Sequence, residues 1–242
     1  MSEVEIFLWG INENKKLIQD MCRDSVNTAK IYDIPTNFMG LGIAFTEHKQ
    51  RVQILKNKLP TLDRDAVVVL MDGADTLFND NKETLLRKFK EKNTRILISA
   101  ERGFTYQYND FKDKFDDKNS NCEYKYVNAG TFMGYAGDIL NMVNDLIELD
   151  KRRSANDQGL LGMWVHENMD NADLVKMDVN CDVFWVTTGD WGTIIDERFS
   201  NNLVVTNPFT KTRPCVVHYT GKGDKHYVKG YNKLLKIILQ EA

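Results

Sequence analysis

The sequence predicts an α/β fold, a mostly parallel sheet flanked by helices, in a single domain of 242 residues. Three observations lead there. Short runs rich in Val, Ile, Phe and Trp recur along the chain with the length and composition of strands. Segments with a helical apolar period lie between several of them, and strands alternating with helices imply βαβ units. One run, AVVVLM at 66–71, is apolar throughout, as a central parallel strand covered on both faces must be.

In chain order, Val4–Trp9 (VEIFLW) opens as a strand. Glu47–Leu59 presents Val52, Leu55 and Leu59 on one face, the pattern of a helix packed on a sheet. After AVVVLM, Lys82–Lys92 repeats that pattern with Leu85, Leu86 and Phe89, and Arg95–Ala100 (RILISA) returns as a strand. Tyr106–Glu123 mixes polar and aromatic residues without a clean period and reads as an exposed excursion. Thr131–Ala136 (TFMGYA) is a strand. In the helix after it, Ile139, Met142, Val143, Leu146 and Ile147 follow i, i+3, i+4, i+7, i+8, with Asp138 as N-cap. Asn156, Asp157 and Gln158 open a further helix. Asp182–Thr187 (DVFWVT) and Pro214–Tyr219 (PCVVHY) are the last strands, and Lys225–Glu241 closes as a helix through Tyr227, Tyr231, Leu234, Leu235 and Ile238. With 4 prolines, 15 glycines and neither a low-complexity linker nor an internal repeat, nothing divides the chain.

A hydrophobic content of 42% supports an ordinary packed core. Lys and Arg total 32 against 35 Asp and Glu, so the net charge of −3 gives no electrostatic reason to expect nucleic acid or an anionic membrane as the main partner. The first residues, MSEVEIFLWG, are acidic where a secretory signal is basic, and no apolar run approaches the ~20 residues that span a bilayer. A soluble cytoplasmic protein is expected. Cys22, Cys122, Cys181 and Cys215 are far apart with no CxxC, so reduced thiols are expected rather than a zinc cluster or a disulfide framework. Nothing in the sequence fixes the oligomeric state, and a homo-oligomer is compatible with all of it.

The chemistry concentrates where VVVLMDGADTLF ends a buried strand in two aspartates, Asp72 and Asp75. Ligands of open α/β sheets bind at the carboxyl ends of strands. Two close carboxylates repel, a cation compensates them, and oxygen ligands suit Mg²⁺ or Mn²⁺. The plainer alternative is an acidic turn, with Gly73 permitting a tight bend and Asp75 capping the next segment. DGADTLF also resembles the DxDGTLF nucleophile loop of haloacid-dehalogenase phosphatases, although there the carboxylates sit at i and i+2, not i and i+3. His218 sits at the end of the apolar run PCVVHY, just before Tyr219, and is a candidate metal ligand or a hydrogen-bonded strand-end histidine. The glycine-containing loop after it carries Gly221, Lys222 and Lys225, a set that suits a phosphate and also suits a solvated loop. In YVNAGTFMGY, Gly130 would let a ligand approach the backbone and the Asn128 amide would bond a sugar hydroxyl; a bulge or hairpin bend is the alternative. Asp157 fits an N-terminal helical turn as well as catalysis. His48, His166 and His226 sit among polar residues and read as surface.

Taken together, VVVLMDGADTLF, RILISAERG, YVNAGTFMGY, NDQGLL and VVHYTGKGDK resemble, in order and approximate spacing, the glycosyltransferase domain of the procollagen lysyl hydroxylase family. The resemblance runs from about Val4 to about Tyr231. It implies a GT-A-like (Rossmann-like) fold, with a nucleotide-sugar half over about 1–100 and an acceptor- and metal-completing half over about 101–242. It implies Mn²⁺, or Mg²⁺, held by Asp72, Asp75 and His218 against the diphosphate of a UDP-sugar, UDP-glucose first. The implied acceptor is hydroxylysine or galactosyl-hydroxylysine in a collagen-like polypeptide. Arg51 matches a basic position of the family and would touch phosphate or donor sugar, with Asp157, Asn128 and Gly130 near the sugar. Asp157 would stabilise an oxocarbenium-like centre or position the acceptor in a retaining reaction, and a carboxylate would act as general base in an inverting one. No iron-binding H-x-D of a hydroxylase is found, so a stand-alone transferase is expected. A UDP-galactose-dependent hydroxylysine galactosyltransferase and a non-catalytic sugar- or collagen-binding module are the alternatives, with a Mg²⁺-dependent phosphatase behind them. Two positions depart from the family pattern: Ala74 stands where an aromatic residue suited to uracil is common, and the family's acidic run shrinks to Asn156-Asp157.

Overall fold

The computed structural model describes residues 4–105, 109–188, 205–220 and 225–240. Among them are strands β1 (Val4–Asn12), β2 (Asn37–Leu41), β3 (Val67–Asp72), β4 (Thr76–Phe78), β5 (Ile96–Glu101), β6 (Tyr126–Tyr135), β7 (Val175–Asp178), β8 (Phe184–Val186) and β9 (Val216–His218). The helices are α1 (Lys15–Met21), α2 (Arg23–Ile31), α3 (Gln50–Lys58), α4 (Lys82–Glu91), α5 (Lys112–Lys118), α6 (Ala136–Arg152), α7 (Asp157–Asn168) and α8 (Lys225–Gln240). A six-stranded sheet has the order β2-β1-β3-β6-β5-β7, and β4-β9-β8 form a smaller one. In the large sheet β6 pairs antiparallel with both neighbours and the other pairs are parallel, so five strands share one direction. The mostly parallel sheet expected from the sequence is present, with β6 as its exception.

Alternation along the strands explains the apolar runs. Ile6, Leu8, Val67, Val69, Met71 and Leu97 face one side, where α2, α4 and the small sheet cover them. Phe7, Trp9, Val68, Leu70, Ile96 and Ile98 face the other, against α3, α6 and α7. With both faces covered, no position of β3 before Asp72 is free to be polar. Each large aliphatic side chain buried this way contributes about 1.5–3 kcal/mol over its exposed state. The α8 residues Leu234 and Ile238 cover the outer face of the small sheet beside Leu77, Trp185 and Val217.

The sequence reading named no element for β2, β4, β7, α1 or α2, and two of its readings are corrected by the structure. Asp138 is not the N-cap of α6. The helix starts at Ala136, straight out of β6, and its first amides donate to neighbouring backbone, Ala136 N–H to Ala66 O and Gly137 N–H to Arg64 O, so no side-chain cap is needed. Asp138 instead takes an ion pair from Arg95 at 2.7 Å. The second difference is α5, a helix within Tyr106–Glu123, whose Phe115 is fully buried near the Tyr126 ring. Within an otherwise polar stretch, one aromatic residue anchors the helix and leaves no period to read. None of the four cysteines is in a disulfide. Among the described residues no helix is long and apolar enough to cross a membrane.

Phe115→Ala is expected to cost about 3–5 kcal/mol in chemical denaturation, as for a large core aromatic. An exposed-loop residue would change stability by no more than about 0.5 kcal/mol.

Candidate active site

Strand β3 delivers Asp72 to the carboxyl end of the sheet, in register with Trp9 of β1. The chain then turns at once into β4. Gly73 is required there by close approach and not by a positive φ: a Cβ on it would lie 2.6 Å from both the Trp9 carbonyl oxygen and Cys22 Sγ. Buried Ser25 of α2 places its hydroxyl 2.6 Å from the carbonyl oxygens of Gly73 and Thr76, and Thr28 accepts the Phe78 N–H. A helix behind the sheet thereby holds the turn that carries Asp75.

His218 reaches this turn through backbone pairing. As the last residue of β9 it lies opposite Thr76 of β4 and beside Val186 of β8. The Tyr219 N–H donates to Asp75 O at 2.7 Å, and the Thr187 N–H donates to His218 O at 3.0 Å. With its backbone held on both sides, His218 directs Nε2 to within 3.5 Å of both Asp72 Oδ2 and Asp75 Oδ1. One ligand atom from each of the three residues lies within 4.8 Å of the others. Two carboxylates and an imidazole at that separation form a donor set suited to Mn²⁺ or Mg²⁺.

Gly130 makes room for this convergence. A Cβ there would sit 2.1 Å from His218 Cε1 and 2.8 Å from Asp72 Oδ2, so the imidazole and a carboxylate occupy the space that the sequence reading left for a ligand. Between the Ile98–Phe132 and Ala100–Val127 pairs, β5 advances through one residue, Ser99, while β6 advances through the stretch 128–131. Asn128 and Gly130 thus sit in a bulge, a device that re-aims side chains beside sites.

Arg51, from α3, closes the other flank. Its guanidinium donates to Asp72 Oδ1 and, at 3.1 Å, to Asp157 Oδ2, and lies 5.4 Å from the centre of the Trp9 ring. Asp157 is in the first turn of α7, whose N-cap Asn156 accepts the Gly159 N–H at 2.7 Å. Burial opposes the charge on Arg51, but Asp72, Asp157 and Asp75 outweigh it and hold the pKa above its usual value. Burial likewise pushes Asp72 up, against the pull of Arg51 and His218. For His218 burial acts downward, yet Asp75 and Asp72 prevail and the pKa is raised.

The Asn128 amide is engaged within the protein. Its Oδ1 accepts the Gly130 N–H at 2.9 Å and lies 3.2 Å from His218 Nδ1, while Nδ2 donates to Glu101 at 3.1 Å. Glu101, a buried carboxylate at the end of β5, also accepts from Gln158, Thr105 and Thr188. Burial raises its pKa against the pull of those four hydrogen bonds. The sequence reading passed over Glu101 because it ended this strand at Ala100; the strand-end rule that singles out Asp72 applies to it equally. Gly221 and Lys222 lie outside the described residues. Lys225 starts α8, and its side chain lies outside them as well.

The family model of the PLOD GT domain matches residues 18–236. The chain belongs to this family. It is a glycosyltransferase-family domain. Procollagen-lysine,2-oxoglutarate 5-dioxygenase of Drosophila melanogaster is 22% identical over 209 residues, covering 81% of this chain and 28% of that protein. The uncharacterized protein R699 of Acanthamoeba polyphaga mimivirus is 25% identical over 191 residues, covering 75% and 38%. The chain therefore spans between about a quarter and two fifths of the length of these relatives. Among solved structures, a glycosyltransferase involved in glycosylation of the major capsid of PBCV-1 superposes with TM-score 0.58 at 10% identity, covering 96% of this chain and 98% of that one. The galactosyltransferase LgtC, solved with donor and acceptor sugar analogues, gives 0.52 at 13% identity, covering 98% and 95%. These two likenesses establish the GT-A fold.

Because His218 and Asp72 fill the space beside Gly130, Gly130→Ala is expected to push the imidazole out. Mn²⁺ affinity in calorimetry should fall by at least about tenfold while the fold persists in circular dichroism.

Proposed function

We propose that this domain transfers glucose from UDP-glucose to galactosyl-hydroxylysine, or a hexose to hydroxylysine, in collagen-like polypeptides, with a divalent metal, Mn²⁺ by preference. The observation that carries the reading is the meeting of Asp72, Asp75 and His218 at the open end of the sheet in a chain of the PLOD GT domain family. The Drosophila melanogaster relative is named for procollagen lysine, which supports a collagen-type acceptor. The N/O donor set, which the missing Cβ of Gly130 lets His218 and Asp72 form, fits a hard divalent ion.

Bound there, the ion would supply Lewis-acid stabilisation of the negative charge that grows on departing UDP. The residues around it do the positioning. Arg51 holds Asp72 with one side of its guanidinium and Asp157 with the other, joining the metal ligands to the α7 N-terminus. Arg51 is also our candidate for contact with the donor diphosphate, with Lys222 and Lys225 as further candidates. Asp157, tethered by Arg51, is our choice for the negative charge that faces positive charge developing at the transferred sugar. Asn128 and Gly130 act through the shape of the β6 bulge. Residues of the donor half, up to about 100, supply Arg51, Asp72 and Asp75, and the second half completes the site. Membership of a glycosyltransferase family displaces the phosphatase alternative.

Incubation with Mn²⁺, UDP-sugars and a galactosyl-hydroxylysine peptide tests the reading. UDP release is expected with UDP-glucose, lost in EDTA and restored by Mn²⁺, and lowered about a hundredfold or more by Asp75→Ala. Binding without UDP release would instead indicate a sugar-binding module. Full activity without metal would reject the metal site.

A pH dependence follows from the raised pKa values of His218 and Asp72. The metal must displace protons that these groups hold more tightly than usual, so Mn²⁺ affinity should decline with falling pH from above the ordinary histidine value of about 6.5. Calorimetry in buffers of different ionisation enthalpy should show proton release on Mn²⁺ binding near neutral pH. The metal-free fold has the opposite sign: the stability from protonated His218 is full below the unfolded pKa and is lost as pH rises through the folded one.

A further inference from the structure

The carboxylate of Glu101 lies at the bottom of the site, out of reach of solvent, at 2% exposure. It is the common acceptor for two side chains that lead to opposite flanks of the site. Asn128 Nδ2 donates to Oε2 at 3.1 Å, and Gln158 Nε2 donates to Oε1 at 2.9 Å. Thr188 and Thr105 donate to the same two oxygens.

Each amide has its orientation decided from both ends. An ionised carboxylate only accepts and a backbone N–H only donates. For Asn128, Glu101 demands the NH₂ on its side, and the Gly130 N–H demands the oxygen on the other. For Gln158, Glu101 again takes the NH₂, and the oxygen accepts the Ala129 N–H at 3.2 Å. With Asn128 turned that way, the atom 3.2 Å from His218 Nδ1 is a carbonyl oxygen. A neutral imidazole that donates to this oxygen carries its proton on Nδ1, in competition with the two carboxylates 3.5 Å from Nε2, and the lone pair then falls on Nε2, the nitrogen that faces Asp72 and Asp75.

We propose that Glu101 is a positioning residue for His218: acting through Asn128, it selects the Nδ1–H tautomer and so presents a bare Nε2 to the metal. The Gln158 arm ties the same carboxylate to the first turn of α7, next to Asp157, so one buried group registers the metal ligands against the opposite flank. This inference rests on the metal reading of Asp72, Asp75 and His218 given above.

The test separates the two. In metal-free protein, at a pH where the imidazole is neutral, long-range ¹H–¹⁵N correlation spectra report the His218 tautomer without any metal or turnover. Nδ1–H is expected, and Nε2–H in the wild-type chain would overturn the proposal even if no variant folds. A glutamine at 101 must turn its own NH₂ toward one of the two arms, so Glu101→Gln should leave the Gly130 N–H as the one remaining constraint on Asn128 and allow the amide to flip in part of the molecules. The expected result is a mixture of tautomers with Mn²⁺ affinity, followed by the EPR signal of the free ion, reduced about 10- to 100-fold. A single Nδ1–H tautomer in Glu101→Gln, or Mn²⁺ affinity within about twofold of wild type, would also overturn it. Should wild-type protein show the Nδ1–H tautomer yet fail to bind Mn²⁺, the metal reading falls while the relay from Glu101 to His218 stands.

Discussion

Two carboxylates held together at the end of a buried strand set the terms for everything around them. Asp72 and Asp75 repel each other and have lost much of their water, a costly arrangement unless positive charge lies close by. The fold supplies that charge on two sides, Arg51 from α3 and His218 from β9, and both are buried by the same walls that bury the aspartates. The raised pKa values of Asp72 and His218 record this crowding. A site under such electrostatic load is a natural receiver for a divalent ion, which relieves the repulsion and leaves the imidazole free of its proton.

Precision comes from backbone pairing more than from side chains. The three-residue strands β4 and β9 would not hold alone, but pairing Thr76 with His218 brings a histidine from near the chain's end to a turn set down long before it. The small sheet in turn packs on the large one through Phe78, Phe184 and Val216. Ser25 holds the turn from behind, and the β6 bulge removes the one Cβ that would block the meeting point. Glycine at 73 and at 130 is there because neighbouring groups come within 3 Å of where a Cβ would be. Neither position calls for an unusual backbone angle.

Much of this was legible in the residues. The both-faces-apolar β3 ended in aspartates, the period of α6 was clear, and His218 closed an apolar run, each the direct product of burial or periodicity. What was not legible depended on pairing. β4 is three residues long and apolar in part only because β9 lies beside it, and α5 shows a single buried anchor, too little for a periodic signal. Asn128 suggested a contact with sugar because an amide in a strand looks unsatisfied in one dimension; in three it is held by Glu101, Gly130 and His218. Glu101 itself carried the same strand-end signal as Asp72 but lay one residue beyond where the apolar run stopped.

Alone, the sequence determined the α/β class, the central strand and the residue types that bring metal and phosphate chemistry to its end, because burial and helical period are local properties written in composition and spacing. Tertiary structure decided which of those residues meet. Strand order, the antiparallel course of β6 and its bulge set distances between positions far apart in the chain, and those distances follow from long-range packing that no local pattern encodes.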